Sequence, residues 1–404
     1  MAYGFSLEDV AFLRSGAGRA ALAECAALPL TDASRLTDVA AVRRAVGERF
    51  AAAVLETLVL RRRAAAKLSD ADGWLFTSDA LQQASATEVG RHRAARLAGL
   101  DVHDVTCSIG ADLVELARVA ARAVGSDVDR VRLQMAQHNV SGGALLAQAD
   151  ALRPVSRDTV VVADPARRDS AGRRTWRPAD FLPPLDDLVA AYPGRALSVK
   201  CAPGLDFSIA PWADEVELVS LDGAVREACL WRGLSGGVSR RATVLRSDGT
   251  QWTVTDAEPD ELPAREPGEW LVDPDGAVVR AGLVRHYGAR HGLWQLDERI
   301  AYLTGDAPPP GVRAFRVLEH GPYSEKALRA TLKRREVGRL EILVRGLDVD
   351  PDALRRRLKP KGPVESTVVL TRIGRSPVAF VCRAERIPSE GSPDRPDGVD
   401  FGRS

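Results

Sequence analysis

The sequence predicts an α/β protein: a central, largely parallel sheet preceded by a helical region and followed by a smaller α+β region. Three observations carry this. From Leu100 onward short apolar runs alternate with amphipathic segments, the pattern of strands joined by crossover helices. Two of these runs end in residues suited to chemistry, Asp104-Val105-Thr106-Cys107-Ser108-Ile109-Gly110-Ala111-Asp112 and Val160-Val161-Val162-Ala163-Asp164-Pro165-Ala166-Arg167-Arg168. Before them, residues 1–98 show apolar positions three and four apart with little β-branched alternation, as helices do.

Length and charge narrow the class. A chain of 404 residues has room for two or three domains. Its formal net charge of +1 announces no polyanionic partner, although local basic patches remain able to bind one. Cys25, Cys107, Cys201, Cys229 and Cys382 are scattered and odd in number, which argues against a zinc ribbon or a disulfide framework and for a reducing cytoplasm. No metal site is expected. No apolar run approaches the ~18 residues of a membrane span, and no signal pattern opens the chain, so a soluble, non-exported protein is expected.

In chain order, Ser6, Thr31-Asp32 and Thr37-Asp38 offer capping oxygens before helix-forming runs. Val42, Val46, Phe50, Val54 and Leu58 form a helical stripe. Trp74 to Ser85 then puts two aromatics before a polar cap and a helix carrying Gln82 and Gln83, and the next helix holds Arg91, His92, Arg93 and Arg96. This stretch reads either as a salt-bridging segment docking the helices on the next domain, or as a lid in which a glutamine bonds substrate and the arginines meet phosphate. Strands follow at 102–107, 121–126, 144–148, 159–163, 195–200, 215–220 and 227–232, the last two joined by the hairpin signal Leu221-Asp222-Gly223. Further strands are expected at 242–246 and 251–255. The Pro- and acid-rich stretch 256–267 reads as a linker.

Residues 104–112, 125–127, 148–150 and 164–168 match, in order and spacing, the cofactor and catalytic motifs of class I S-adenosylmethionine-dependent methyltransferases, whose Rossmann-like sheet also ends in a hairpin. The whole chain resembles an actinobacterial methyltransferase family with a THUMP-like C-terminal domain, its catalytic part similar to trimethylguanosine synthase, an RNA guanine-N2 methyltransferase. The resemblance implies S-adenosylmethionine as cofactor. It divides the chain into a helical domain at 1–98, a methyltransferase domain at 99–262, a linker region at 263–310, a THUMP-like domain at 311–388 and a disordered tail at 389–404.

The residues themselves suit that chemistry. A strand–turn–helix at 104–112 brings backbone N–H groups and a helix N-terminus to a ligand's anionic end, and Ser108, Gly110 and Ala111 are small enough to allow it. The family pattern has glycine at 108 and 111, so this turn departs from it, restricting backbone torsions and leaving weak cofactor binding open. Asp104 and Asp112 flank the turn, where carboxylates suit the methionine amino group. Asp127 is placed for both ribose hydroxyls, and the resemblance assigns Asp150 to the adenine amine. A lone turn of this kind also occurs as plain structure. Four acids at successive strand ends favour the cofactor reading.

Asp164 and Pro165 resemble the motif with which nitrogen methyltransferases orient a target amine. Ala166 stands in place of its second proline and Arg167 in place of its stacking aromatic, which weakens the amine assignment. Stacking then falls to Arg167 or Trp176. Arg168, Arg173, Arg174 and Trp176 form a basic cluster with an aromatic, suited to phosphate and a flipped base, or simply a solvated loop. Lys200, ending the fifth strand, is a contact for phosphate or substrate. Cys201 beside it is rejected as a nucleophile because the carbon-5 pyrimidine enzymes surround theirs with a different motif.

From Gly311 a strand-helix-strand-helix-strand-strand order resembles THUMP-like domains of RNA-modifying enzymes. Lys326, Arg329, Lys333, Arg334, Arg335, Arg339, Arg355, Arg356, Arg357, Lys359 and Lys361 concentrate there, as on a nucleic-acid docking surface, although a mixed-charge surface is the plainer reading. The expected function is methylation of a base nitrogen in structured RNA, tRNA or rRNA. The alternatives are a small-molecule or protein methyltransferase, or a non-catalytic RNA-binding protein on a decayed methyltransferase fold.

Overall fold

The computed structural model describes residues 3–166 and 177–388. The chain forms two compact units, residues 1–239 with 243–252, and residues 240–242 with 253–388 of the described chain.

The first unit begins with α1 (Leu7–Arg14), α2 (Gly16–Cys25), α3 (Arg35–Ala64), α4 (Ser78–Gln83) and α5 (Thr87–Ala95). Ser6 caps α1 in a reciprocal capping box with Asp9. Thr31 and Thr37 do not cap α3, whose first turn follows Ser34. The stripe from Val42 to Leu58 lies on α3, but the helix kinks at Gly47, whose φ of 74° is left-handed. Helices α1 to α4 share one core with Ile109 and Met135 of the sheet region, and α5 packs through Ala94 and Val89 on the sheet's own apolar clusters. They are therefore part of the unit that holds the sheet.

That sheet comprises β1 (Asp101–Asp104), β2 (Arg122–Asp127), β3 (Leu145–Gln148), β4 (Val160–Ala163), β5 (Leu197–Cys201), β6 (Glu215–Leu221), β7 (Ala224–Arg232), β8 (Arg240–Leu245) and β9 (Gln251–Thr255), in spatial order 3-2-1-4-5-7-6-8-9. The helices α6 (Ala111–Val119), α7 (Arg130–Asn139) and α8 (Leu185–Ala191) cross between strands. Strands β1 to β5 run parallel, whereas β7 is inserted antiparallel between β5 and β6. This is the class I methyltransferase order, as the alternation and closing hairpin predict. The hairpin turns on Asp222 and Gly223, both at positive φ (52° and 79°), the type I′ geometry that matches strand twist. Strand order reverses between β1 and β4. Their carboxyl ends open the crevice in which such sheets bind ligands.

The second unit contains β10 (Trp270–Val272), α9 (Gly276–Arg280), α10 (Val284–Arg290), β11 (Trp294–Gln295), β12 (Leu303–Gly305), β13 (Arg313–Pro322), α11 (Glu325–Arg334), β14 (Val337–Val344), α12 (Pro351–Leu358), β15 (Val364–Ile373) and β16 (Ser376–Arg386). Its sheet runs 11-12-10-13-16-15-14. The elements from β13 onward follow the expected order. Residues 263–310, expected to be a linker, instead supply two helices and three strands, and β10 pairs directly with β13. On the other end, Leu328, Leu332, Leu354 and Leu358 bring α11 and α12 onto one apolar layer with Val368, Leu370 and Val381. No helix among the described residues is long and apolar enough to cross a membrane.

Candidate active site

Two cavities open at the carboxyl edge of the first sheet. One, of about 580 Å³, is lined by Asp104, Ser108, Asp112, Asp127, Asp150 and Asp164, among others. The second, of about 830 Å³, is lined by Lys67, Gln82, Pro165, Lys200, Arg226 and Glu227, again with Asp164. Gln83, Ala84, Asp164 and Ala166 line both. Asp164 thus stands where the two cavities share a wall.

The turn after β1 is shaped by its backbone. Gly110, at φ 83°, caps α6, and a Cβ there would lie 2.9 Å from Val140 Cγ2. Ser108 occupies left-handed space at φ 50°, where the family pattern has glycine. Its N–H donates to Asp127 Oδ2 at 2.9 Å, and the Asp129 N–H donates to Asp127 Oδ1 at 2.8 Å. Each of these oxygens keeps a second lone pair. Asn139, buried on α7, donates to the Ile109 and Leu75 carbonyls and accepts from the Leu75 N–H, joining the N-terminal segment to this turn. Asp150, exposed, accepts from the Leu152 N–H at 2.9 Å.

The acids beside the turn differ sharply. Asp112 is held by the Arg93 guanidinium at 2.8 Å. Burial opposes its ionisation, but Arg93 and Lys200 hold it down at about 2. Arg93 is 3% exposed and also grips both oxygens of Glu227 on β7 at 2.8 Å, with Ser85 at 3.0 Å. Asp112, expected to meet a ligand amine, therefore spends one oxygen on Arg93. Asp104, 4% exposed, is pushed up to about 8 by burial and by the charges of Asp112 and Asp164.

Asp164 is fixed from two sides. Its N–H donates to Thr106 Oγ1 at 2.7 Å, and its carboxylate is ion-paired with Lys200. Lys200 also donates to the Gln83 carbonyl at 3.3 Å. Burial alone would lower the Lys200 pKa, but Asp164, Asp112 and Glu227 raise it above the ordinary lysine value. Its ammonium is thus committed to Asp164 rather than standing open to phosphate. Ala166 exchanges two backbone hydrogen bonds with Leu182, at 2.9 and 3.0 Å. Lys67 donates to the Leu81 and Gln82 carbonyls, so α4 with Gln82 and Gln83 is tied down at the second cavity. Arg167, Arg168, Arg173, Arg174 and Trp176 lie outside the described residues.

Of the two readings of α5, the structure shows the salt-bridging one. Arg91 reaches Glu115 and Asp70, His92 reaches Glu217, and Arg96 binds Glu215 and Glu217 while stacking 3.9 Å from the Trp231 ring. None of these arginines is left to meet phosphate. Glu227 and Thr106 carry no sequence signal for a role at the site, and Arg93, grouped by sequence with arginines expected to meet phosphate, binds Asp112 and Glu227 instead. Among the described residues, all five cysteines are buried and outside any disulfide, and no group of three or more His, Cys, Asp or Glu could hold a metal ion.

The first cavity suits S-adenosylmethionine. Its wall is rich in carboxylates, matching a ligand whose polar edge presents an ammonium, ribose hydroxyls and an exocyclic amine.

Comparison with known proteins agrees with the geometry. Residues 312–384 match the THUMP domain-like family, and residues 6–64 match a domain family of unknown function. A protein of Mycobacterium tuberculosis, present in strains H37Rv and CDC 1551 and described as an uncharacterized S-adenosylmethionine-dependent methyltransferase, is 54% identical over 351 residues, which cover 82% of this chain and 97% of that protein. A crystal structure from Porphyromonas gingivalis W83, provisionally named a methyltransferase, shares the fold with a TM-score of 0.69 over 95% of this chain and 99% of that one, at 20% identity. The chain belongs to the S-adenosylmethionine-dependent methyltransferases and carries a THUMP-like region at its C-terminal end.

Proposed function

We propose that this enzyme methylates a base nitrogen of structured RNA, with the cofactor in the 580 Å³ cavity and the base in the 830 Å³ cavity. The observation that carries the reading is Asp164, which lines both cavities and is fixed by Thr106 and Lys200. In this reading Asp127 accepts from the ribose hydroxyls, Asp150 from the adenine amine, and the turn at Ser108 and Gly110 cradles the methionine end. The bound cofactor supplies an electrophilic methyl group. Asp164 accepts a hydrogen bond from the target amine and aims the nitrogen lone pair, most of the gain being positional. Lys200 orients that carboxylate through their ion pair. Pro165, buried behind it, limits backbone movement, and Gln82 contacts the base. Arg167, Arg168, Arg173, Arg174 and Trp176 are assigned to phosphate and stacking on the sequence pattern alone.

RNA, of the tRNA or rRNA kind, is supported by charge. Residues 312–384 hold 17 Lys and Arg against 8 Asp and Glu, a net +9 within a chain of +1. Arg334, Arg335, Arg339, Arg355 and Arg357 are spent on acids, whereas Lys326, Arg329, Lys333, Arg356, Lys359 and Lys361 are exposed and outside the ion pairs among the described residues. Buried cysteines outside any disulfide fit a cytoplasmic setting. The test is binding of structured RNA at rising salt. A linear fall of log affinity with log salt supports the reading, and salt-independent or absent binding favours a small-molecule or protein substrate.

A further inference from the structure

We infer that Asp104 is the ionisable counter-charge of the cofactor site: neutral in the free enzyme, it becomes a carboxylate when the sulfonium cofactor enters, favouring the charged methyl donor over its uncharged thioether product. The inference rests on the placement of the cofactor in the 580 Å³ cavity.

The argument is one of unbalanced charge. Asp104 ends β1 in the wall of that cavity, and its Oδ1 accepts only a long bond, 3.2 Å, from the Thr106 N–H. The groups acting on it are Asp112 on α6, Arg93 on α5 and Asp164 after β4, with the neutral Cys107 thiol beside it in the turn, Asp127 in the same cavity wall, and Lys67 acting on Asp112 and Asp164. Arg93 is already shared by Asp112 and Glu227, and Lys200 is paired with Asp164. The cluster therefore sets four carboxylates, Asp104, Asp112, Asp164 and Glu227, against three cations, Arg93, Lys200 and the half-buried Lys67, which acts on Asp112 and Asp164. Fully ionised, it would carry one uncompensated negative charge, and Asp104, at 4% exposure, has little water to stabilise it, which is unfavourable. Among the described residues no ion pair holds Asp104, so it is the acid that keeps its proton. The burial-driven rise of its titration to about 8 agrees with this.

The methyl donor, with a sulfonium and an ammonium against one carboxylate, brings a net charge of about +1 that supplies the missing positive charge, whereas the product, with ammonium and carboxylate only, brings none. Asp104 then releases its proton to solvent, one proton out per cofactor bound. After transfer the thioether has lost the sulfonium charge, and the reason for Asp104 to stay ionised weakens.

The test is calorimetric titration of the full chain with S-adenosylmethionine and with S-adenosylhomocysteine at pH 7, in buffers of different ionisation enthalpy, which counts protons exchanged. Close to one proton released with the methyl donor, little with the product, and donor affinity rising about tenfold from pH 6 to pH 7 are expected. Asp104→Asn, nearly isosteric with the neutral acid, is expected to bind the donor with neither proton release nor that slope. No release by the natural protein, or unchanged release by Asp104→Asn, overturns the inference. Asp127→Asn separates the two levels. If it abolishes cofactor binding while the slope survives in Asp104→Asn, the placement stands and the role of Asp104 falls; if it leaves binding intact, both fall.

Discussion

Arginine–carboxylate contacts occur in both compact units, and they do different work. Around Arg93 the members have little contact with water: side chains of Arg93 and Glu227 are each 4% exposed and that of Asp112 15%. In the THUMP-like region the Arg339–Glu365 pair, at 3.2 Å, has side chains 83% and 71% exposed. The first network cannot lose a partner without stranding a charge away from water, so it holds α5, α6 and β7 in register beneath the two cavities. The second is screened and replaceable, and the lysines and arginines around it remain able to meet a polyanion. Charge is architecture in one unit and a surface resource in the other.

The contrast can be broken or sharpened by substitution. The largest effect is expected at Asp164. Asp164→Ala should leave cofactor affinity within about threefold yet lower turnover by roughly 10³-fold, since it removes the group that positions the nitrogen. Methylation that continues at the natural rate would remove Asp164 from the site. Asp127→Ala should do the converse, weakening cofactor binding by about a hundredfold or more through the loss of charge-assisted acceptors, as read by calorimetry.

Arg93→Met comes next. By leaving Glu227 and Asp112 buried without their cation, it should cost about 3–5 kcal/mol in the stability of the first unit, visible as a large drop in its thermal transition. Arg339→Ala, the matched change on the exposed pair, should cost under about 1 kcal/mol. Equal losses would erase the distinction between the networks. Changing Lys326, Arg356 and Lys359 to Ala together should leave stability nearly untouched and flatten the salt dependence of RNA binding by about one unit of slope per contact removed. The smallest effect is at Ser108: Ser108→Gly should relieve a left-handed non-glycine residue and stabilise the protein by about 1 kcal/mol, measurable by chemical denaturation.

Much of the first sheet was legible because buried parallel strands such as Val160–Ala163 are short apolar runs ending in an acid, and the Asp222-Gly223 turn announces its hairpin. Asp104, Ser108, Asp112, Asp127, Asp150 and Asp164 converge on one cavity because they sit at, or just beyond, strand ends at the same edge, which topology then gathers. What failed has equally physical causes. Strands of three, two and three residues, at Trp270–Val272, Trp294–Gln295 and Leu303–Gly305, are too short to show periodicity, so a folded segment read as a linker. Arg93 looked like one basic residue among four because its partner Glu227 is 134 positions away. Sequence spacing holds no trace of that pairing.

The most direct measurement is transfer of isotope-labelled methyl from S-adenosylmethionine to RNA taken from cells lacking the gene, comparing the natural protein with Asp164→Ala. Label entering RNA as a base-nitrogen methyl group with the natural protein, and absent with the variant, is the result expected. Label entering only protein or small molecules, or RNA labelled equally by both proteins, would contradict the account.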